Sequence, residues 1–519
     1  MYCKNVIYSK KLDWVNIALV LLYCGVIIYL SANHEVWRDE VRALSLVTES
    51  NSIVNLLENL HNEGHPCLWY LLLYFTYQIF KAPIVLKATH IFIATIAIVI
   101  FVTKAPFTKI QKLLFTLGYF PLYEYAVISR NYGIGMLLLF ILFSLYKIRF
   151  KNPLLFGVIL ALLANTSAPA LIISIAFTAS LIVEVAFKRP ISYSTKTLFG
   201  TLTAVFGIIL SIIQITPDTT TVVTNIYQHS LKEVLVTIPT VAIATGTWFH
   251  QALGANSVLL ANAVVWIAML LLYKKKTLLV IFYSAAVGLA GLFQLVYPGM
   301  PRHQGFLYLL LIGMLWLDKT TDYKEATASP VGRWIKECLN TVEKHKNHFL
   351  YLVLTLQVII SIPAIYKEIR FQFSASKSFT TYVKKHSDLN DAIVIAEPDF
   401  IAESFPYYLN NKIYIPREER FGKTVSFTSA NQNGMTLTDI INTAEEISHQ
   451  NTKPILLVIG HNLNPLGPYT INFGYNKTFA YTNESLETLN KDAKMLASFK
   501  EAVMSNENFT VFLVENYNL

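Results

Sequence analysis

Apolar runs separated by alternately basic turns constrain this chain more than any other feature. Eleven runs near span length can be read, at 12–31, 84–103, 113–123, 133–146, 153–165, 169–187, 197–215, 253–273, 277–297, 304–317 and 349–366. A membrane helix needs roughly 17–25 such residues. Basic residues collect in every second turn: Lys4, Lys10 and Lys11; Lys104, Lys109 and Lys112; Lys147, Arg149 and Lys151; Lys188, Arg189 and Lys196; Lys274, Lys275 and Lys276; and the segment 318–348. The positive-inside rule puts those turns and the N-terminus in the cytoplasm. Loops 32–83, 120–132, 216–252 and 297–303, with everything after residue 366, then face outward.

Composition agrees with this reading. Charged residues make up 14% of the 519 and hydrophobic ones 54%, whereas a soluble domain carries roughly 25% charged residues. The net charge of +9 therefore reports topology, and nucleic acid is not expected as a partner. Cys3, Cys24, Cys67 and Cys338 are too scattered for a CxxC module or a disulfide framework. The first apolar run lacks a small-x-small cleavage site and reads as a retained helix. The parity of the loops requires that 66–80, rich in Trp and Tyr, lie at the outer interface as an amphipathic or re-entrant helix.

Beyond residue 366 the pattern changes. Short β-prone runs at 391–396, 412–415, 424–427, 454–459 and 509–514 alternate with helical patterns at 436–449 and 484–503. That alternation predicts an α/β domain on a mainly parallel sheet. The expected organisation is a membrane domain over 1–366, with interfacial helices in its first outer loop 32–83, and an extracytoplasmic α/β domain over 367–519. Gly460-His461-Asn462 reads as a strand-end loop, with a ligand crevice as the alternative. Loop 216–252, apolar in its second half (Val234–Ala244), reads as a lid or a further interfacial helix.

The chemistry-bearing polar residues gather on the outward side. Loop 32–83 carries Asp39 and Glu40, then Glu63-Gly64-His65-Pro66. Loop 120–132 carries Glu124, Arg130 and Tyr132, and loop 297–303 carries Arg302 and His303. Charged groups at a helix mouth are costly without partners and mark functional sites. A carboxylate can take a proton from an acceptor hydroxyl, and Arg can neutralise a leaving phosphate. The plainer roles are helix capping for the acidic pair, a first-turn proline after His65 and interfacial anchoring for the arginines. Without ATP outside the cell, a substrate used there must carry its own activated bond, and lipid-phosphate sugars do.

The Asp39-Glu40 pair after the first span, Glu63-Gly64-His65-Pro66, Arg130-x-Tyr132 and Pro301-Arg302-His303 together resemble the bacterial GT-C glycosyltransferases. The nearest likeness is to the dolichyl-phosphate-mannose protein mannosyltransferase and aminoarabinose transferase superfamily, over roughly residues 10–320. The resemblance implies a bundle of about eleven transmembrane helices in the plasma (inner) membrane. It also implies a polyprenyl-phosphate sugar donor and inverting transfer to a lipid, glycan or protein acceptor of the cell envelope. Carried onto this chain, Asp39 is the general base, and Glu40 either positions the acceptor or tunes Asp39. Arg130, Arg302, His303 and His65 hold the donor phosphate, while Glu63, Glu124 and Tyr132 position substrate.

The chain departs from the pattern in two places. His65 stands where aminoarabinose transferases have a Lys. Asn131 follows Arg130 where some relatives have a second Asp, which leaves that acidic role vacant or gives it to Glu124. No cofactor is expected; a divalent metal, used by some GT-C enzymes, would draw on these carboxylates and His65. The rival readings are a transporter or flippase of lipid-linked saccharides, which would show mid-membrane charges and internal repeats, and an O-antigen-type polymerase or ligase.

Overall fold

The computed structural model describes residues 13–187, 195–218, 231–253, 257–321, 333–426, 434–467, 469–474 and 477–514. The basic residues Lys4, Lys10, Lys11, Lys188 and Arg189 lie outside the described residues, as do 219–230 and 322–332 of the turns discussed above.

Six described helices are long and apolar enough to cross a membrane. They are α1 (Trp14–Asn33), α5 (Val85–Lys104), α9 (Ala168–Phe187), α10 (Thr195–Ile215), α13 (Lys276–Leu295) and α16 (Lys346–Arg370). Between them lie α2 (Arg38–Glu49), α3 (Ile53–Asn59), α4 (Leu68–Phe80), α6 (Lys109–Thr116), α7 (Tyr132–Leu145), α8 (Pro153–Ala164), α11 (Leu231–Ile243), α12 (Val258–Leu272), α14 (Pro301–Thr320) and α15 (Arg333–Lys344). The protein is thus a helical membrane protein. Its bundle is centred on α14, which is buried from His303 to Leu317.

The structure refines two stretches of this part. The run 113–123 is not one helix: α6 stops at Thr116, and after a break at Leu117–Gly118 a π-helical turn covers Phe120–Glu124. The broken segment still follows α16 from end to end. Thr108 Oγ1 meets Tyr351 OH at 3.3 Å, Ser361 donates to the Leu117 carbonyl at 3.0 Å, and Tyr123 OH donates to Glu368 at 2.6 Å. Tyr351 to Glu368 is about 26 Å of helix, close to a hydrocarbon thickness of ~30 Å. The Ser361 hydroxyl at the break replaces a hydrogen bond that the helix lost, as irregular backbone inside a bundle requires. In the second case, 66–80 forms the 13-residue helix α4, about 20 Å long. The apolar stretch of loop 216–252 is helical as well, in α11.

Helices α8 and α10 cross where neither has a side chain. A Cβ on Gly157 would fall 1.9 Å from the Gly200 carbonyl oxygen, and one on Gly207 would fall 2.4 Å from the Ala161 Cβ. Small residues let helix backbones approach closely in an apolar solvent, where packing replaces the hydrophobic effect.

After α16 the chain forms α17 (Ser376–Lys385) and then a six-stranded sheet ordered β3-β2-β1-β5-β9-β8. Its strands are β1 (Ile393–Glu397), β2 (Ile413–Ile415), β3 (Arg420–Phe421), β5 (Ile455–Ile459), β8 (Lys494–Phe499) and β9 (Phe509–Val514). A three-stranded sheet of β4 (Gly434–Thr436), β7 (Lys477–Ala480) and β6 (Thr470–Phe473) packs beside it, with α18 (Leu437–Asn451) and α19 (Asn483–Asp492).

The larger sheet is mixed rather than mainly parallel. Only β1–β2 and β1–β5 pair in parallel, and β9 and β8 extend it antiparallel. The expected helix 484–503 is half strand: α19 ends at Asp492, and Lys494–Phe499 pairs with β9. Lys, Met, Leu and Ala favour helix intrinsically, but the open edge of β9 offers that segment a ladder, and tertiary context overrides propensity. The expected strand 424–427 does not form over its described residues 424–426, and the edge strand is β3, which ends three residues before Thr424; Phe427 lies outside the described residues. His461 sits just beyond β5, 3.1 Å from Glu397 and stacked on Phe479 at 4.6 Å.

Candidate functional site

Helix α1 ends at Asn33, and four residues later α2 begins with Arg38-Asp39-Glu40. Acidic groups in a first turn face the positive end of the helix dipole. The two carboxylates diverge from there. Glu40 is fully buried: one oxygen accepts from the Ser129 N–H at 2.6 Å, the other from Trp37 N–H at 3.3 Å and from His34 at 2.8 Å. The second ring nitrogen of His34 meets Glu368 at 3.1 Å. Carboxylates accept only, so the ring carries both protons. Burial would lower the His34 pKa, but Glu40 and Glu368 overcome it and hold it at about 9. Glu40 therefore welds the start of α2 to the second loop and to α16, a positioning role.

Asp39 takes the other direction. Its Oδ2 accepts from Arg130 Nη1 at 2.7 Å and lies 3.7 Å from Arg302 Nη2, and its Oδ1 lies 3.7 Å from Arg38 Nε. About a quarter (27%) of the side chain is open. Burial would raise its pKa, but the three guanidiniums, Arg130 foremost, hold it below the ordinary carboxylate range.

Arg130 stands two residues before α7 and Arg302 in the first turn of α14. Three helix N-termini, those of α2, α7 and α14, thus converge with two arginines on one point. Unpaired N–H groups and the dipole make such ends receptive to anions. The bend after the π-helical turn delivers Arg130, and Tyr125 OH donates to the Arg302 carbonyl at 2.6 Å to lock the two loops together. Arg130 lies over the Tyr132 ring at 5.4 Å, and Arg302 over Trp37 at 5.9 Å.

His65 and His303, unlike His34, do not act as cations here. Gly64, in the left-handed region at φ 68°, turns the chain so that His65 Nε2 lies 3.3 Å from Arg130 Nη2. A guanidinium only donates, so His65 accepts at Nε2. Burial, with Arg130 and Arg302 beside it, pushes its pKa down to about 3, and the neutral ring aims Arg130. His303 Nδ1 accepts from Met300 N–H at 3.2 Å, which leaves Nε2–H to donate to Tyr132 OH at 2.9 Å. His303 and Tyr132 therefore buttress the arginines from behind. Glu124 accepts from Tyr119 OH at 2.5 Å. Its burial raises its pKa against the pull of Arg302 and Arg130. Asn131 is pinned to the Thr166 carbonyl at 2.6 Å.

Glu63 lies to the side. Arg42 clasps both its oxygens, at 2.8 and 2.6 Å, donates to the Val425 carbonyl at 2.8 Å and bonds Glu403. A second bridge from the C-terminal region joins Glu507 to the Arg38 backbone N–H at 3.2 Å and to its guanidinium at 3.6 Å. Arg38 also lies over Phe400 at 4.5 Å, and Tyr408 OH accepts from Val36 N–H at 3.0 Å.

Glu403, Glu507 and Glu368 escape a sequence reading as site-supporting residues, whereas their partners Arg42, Arg38 and His34 stand among the polar residues of the first outer loop. These partners lie up to 469 positions away, and no local pattern links them. The only signal was the excess of charge around Asp39.

Among the described residues no three His, Cys, Asp or Glu side chains converge as metal ligands. The groups around Asp39 are guanidiniums, which repel a divalent cation, so these residues do not fit a metal site. In comparisons with known proteins, no family model matches the chain and no curated protein matches it.

Proposed function

We propose that this protein is a membrane glycosyltransferase of GT-C type. It would transfer a sugar from a polyprenyl-phosphate donor to a cell-envelope acceptor, with Asp39 as general base. The observation that carries the reading is the sharing of one point by Asp39, Arg130 and Arg302 at three helix N-termini. The carboxylate and the guanidiniums neutralise one another. A donor phosphate competes for the arginines, and the charge-assisted bonds it forms with them release Asp39, whose pKa climbs back toward the ordinary range.

The acceptor hydroxyl then loses its proton to Asp39 while its oxygen bonds to the anomeric carbon. The bond from that carbon to the phosphate oxygen breaks, and the electron pair leaves on polyprenyl phosphate. Arg130 and Arg302 neutralise the charge that develops there. A single in-line displacement inverts the anomeric centre. Glu40, His65, His303 and Tyr132 hold the three charged groups in place, and Glu124 stands beside Arg302.

The basic turns support an extracytoplasmic setting in the plasma membrane, with a GT-C bundle of about eleven spans and the C-terminal sheets on the same side as Asp39. The docking of Glu403 and Glu507 onto α2 supports that last point.

The test is full-length Asp39→Asn in detergent, given polyprenyl-phosphate sugar and an envelope extract. Loss of transfer by about a hundredfold or more is expected, with donor binding retained. Equal transfer by the variant would remove Asp39 as the base, and a wild-type protein that releases no polyprenyl phosphate would remove the transferase reading.

A further inference from the structure

A cavity of about 510 Å³ opens beside the Asp39 helix, walled by α2, the turn after α3 and the segment around Arg420–Ser426 of the C-terminal region. No membrane-crossing helix contributes to it. Its α2 wall consists of Arg42, Leu46 and Glu49, which follow Asp39 at intervals of three, four and three residues. That spacing puts all four on one stripe of the helix. The cavity therefore runs along α2 for about 10 Å, with its near end one turn from Asp39 and its far end about 15 Å from it.

The charges in the wall are already satisfied. Arg42 is bound by Glu63, Glu403 and the Val425 carbonyl. Both Glu49 oxygens accept, from Lys423 N–H at 2.7 Å and from Thr424 Oγ1 at 3.2 Å. Arg420 is held by Glu418 and the Thr424 carbonyl. His61 pairs with Asp218 at 2.6 Å, and the other polar side chains of the wall are uncharged amides and hydroxyls. Asn59 donates to Ser50 Oγ and Asn62 accepts from Asp218 N–H, which leaves the Asn59 carboxamide oxygen and the Asn62 amide nitrogen without a hydrogen-bond partner in the described residues. An acceptor and a donor of that kind suit hydroxyls, and the volume lies in the ~300–1,000 Å³ range of small-ligand clefts.

We infer that this cavity is the acceptor subsite and that it binds a neutral saccharide, whose reactive hydroxyl it presents along α2 to Asp39. The inference rests on the transferase reading for its role but not for its chemistry. The phosphate and lipid of the donor belong with Arg130 and Arg302 at the helix mouths, whereas the acceptor enters between α2 and the C-terminal sheets. Selectivity for the acceptor is then a joint property of the first loop and the C-terminal region.

Saturation-transfer NMR on the full-length protein in detergent tests this, with methyl glucoside, galactoside, mannoside and N-acetylglucosaminide as probes and glucose 1-phosphate as the charged comparison. At least one methyl glycoside should bind. Asn59→Trp, an exposed rim substitution that fills the cavity, should weaken that binding about tenfold or more, equal to roughly 1.4 kcal/mol, while Asp39→Asn leaves it intact. Binding of the phosphorylated sugar alone, no binding at all, or unchanged binding by Asn59→Trp would each overturn the assignment. Where the wild type turns over donor, Asn59→Trp should raise the acceptor KM about tenfold. Absence of any donor turnover counts against the transferase, and the NMR result then still decides the cavity.

Discussion

Asp39 Oδ2 and Arg130 Nη1 meet at 2.7 Å, and Arg302 reaches the same oxygen from 3.7 Å. The carboxylate that would act as base is thus also the counter-ion of the groups that would bind phosphate. A competing anion and Asp39 cannot both have the arginines, so on the transferase reading donor binding would also free the base.

This competition has a counter-intuitive consequence. Asp39→Asn removes the internal counter-ion, so polyprenyl phosphate should bind the variant more tightly than the wild type, by a factor of several, even as transfer is lost. Arg130→Lys should weaken the same binding by about tenfold to a hundredfold, because an ammonium cannot reproduce the planar two-point contact. Equilibrium binding of radiolabelled polyprenyl phosphate measures both. Weaker binding by Asp39→Asn would show that the carboxylate supports the phosphate site and does not compete with it.

Glu403 and Glu507 link the C-terminal region to the two arginines of α2. Burial, acting against Arg42 in the first case and Arg38 in the second, raises both carboxyls to about 7. Their unfolded value is near 4.5, so between these limits the folded protein holds protons that the unfolded chain has released. Stability then falls as pH rises: the contribution is complete below about 4.5 and gone above about 7. Thermal unfolding between pH 4.5 and 8 should show that slope. Glu403→Gln, which cannot ionise, should flatten it, and an unchanged slope in the variant would exclude Glu403 as its source.

His34 has the same sign in a higher pH window. Its folded value of about 9 exceeds the ordinary value of 6.5, so the stabilisation is full below 6.5 and lost as pH climbs through 9. His34→Phe removes the cation between Glu40 and Glu368 and leaves two buried carboxylates uncompensated. Breaking a buried pair from one side costs about 3–5 kcal/mol. A large fall in Tm at pH 7 is expected, shrinking above pH 9, whereas a drop independent of pH would mean that only packing was lost.

Asp39, Arg130 and Arg302 were legible as candidates because each stands at the end of an apolar run, where an unpaired charge is conspicuous. Their convergence was not legible, since it depends on a π-helical turn at Phe120–Glu124 and a left-handed Gly64, features with no periodic signature. The roles of Glu63, His65 and His303 changed for a related reason. Residue type told which groups could bind phosphate, but the hydrogen-bond partner decides whether a His is a cation, and Arg42, Arg130 and Met300 are those partners. In the C-terminal region β1, β5 and β9 could be found from their β-branched runs, which are buried in the sheet. The edge strand β8 could not, because its pairing comes from β9 and not from its own helix-forming residues.

The crossing of α8 and α10 provides a prediction free of any functional reading. Gly157 and Gly200 touch backbone to backbone, and the Cβ of Gly157→Ala would lie 1.9 Å from a carbonyl oxygen that belongs to a helix and cannot swing aside. The helices must separate, and the contacts that replace the hydrophobic effect between them are lost along the interface. Gly291, on α13, meets no heavy atom within 4 Å, so Gly291→Ala supplies only the helix preference, worth about 0.5–1 kcal/mol in favour of Ala. Thermal unfolding of the two variants in detergent should therefore move in opposite directions, down for Gly157→Ala and level or slightly up for Gly291→Ala. If Gly157→Ala unfolds with the wild type, the two helices do not pack at that distance in the membrane.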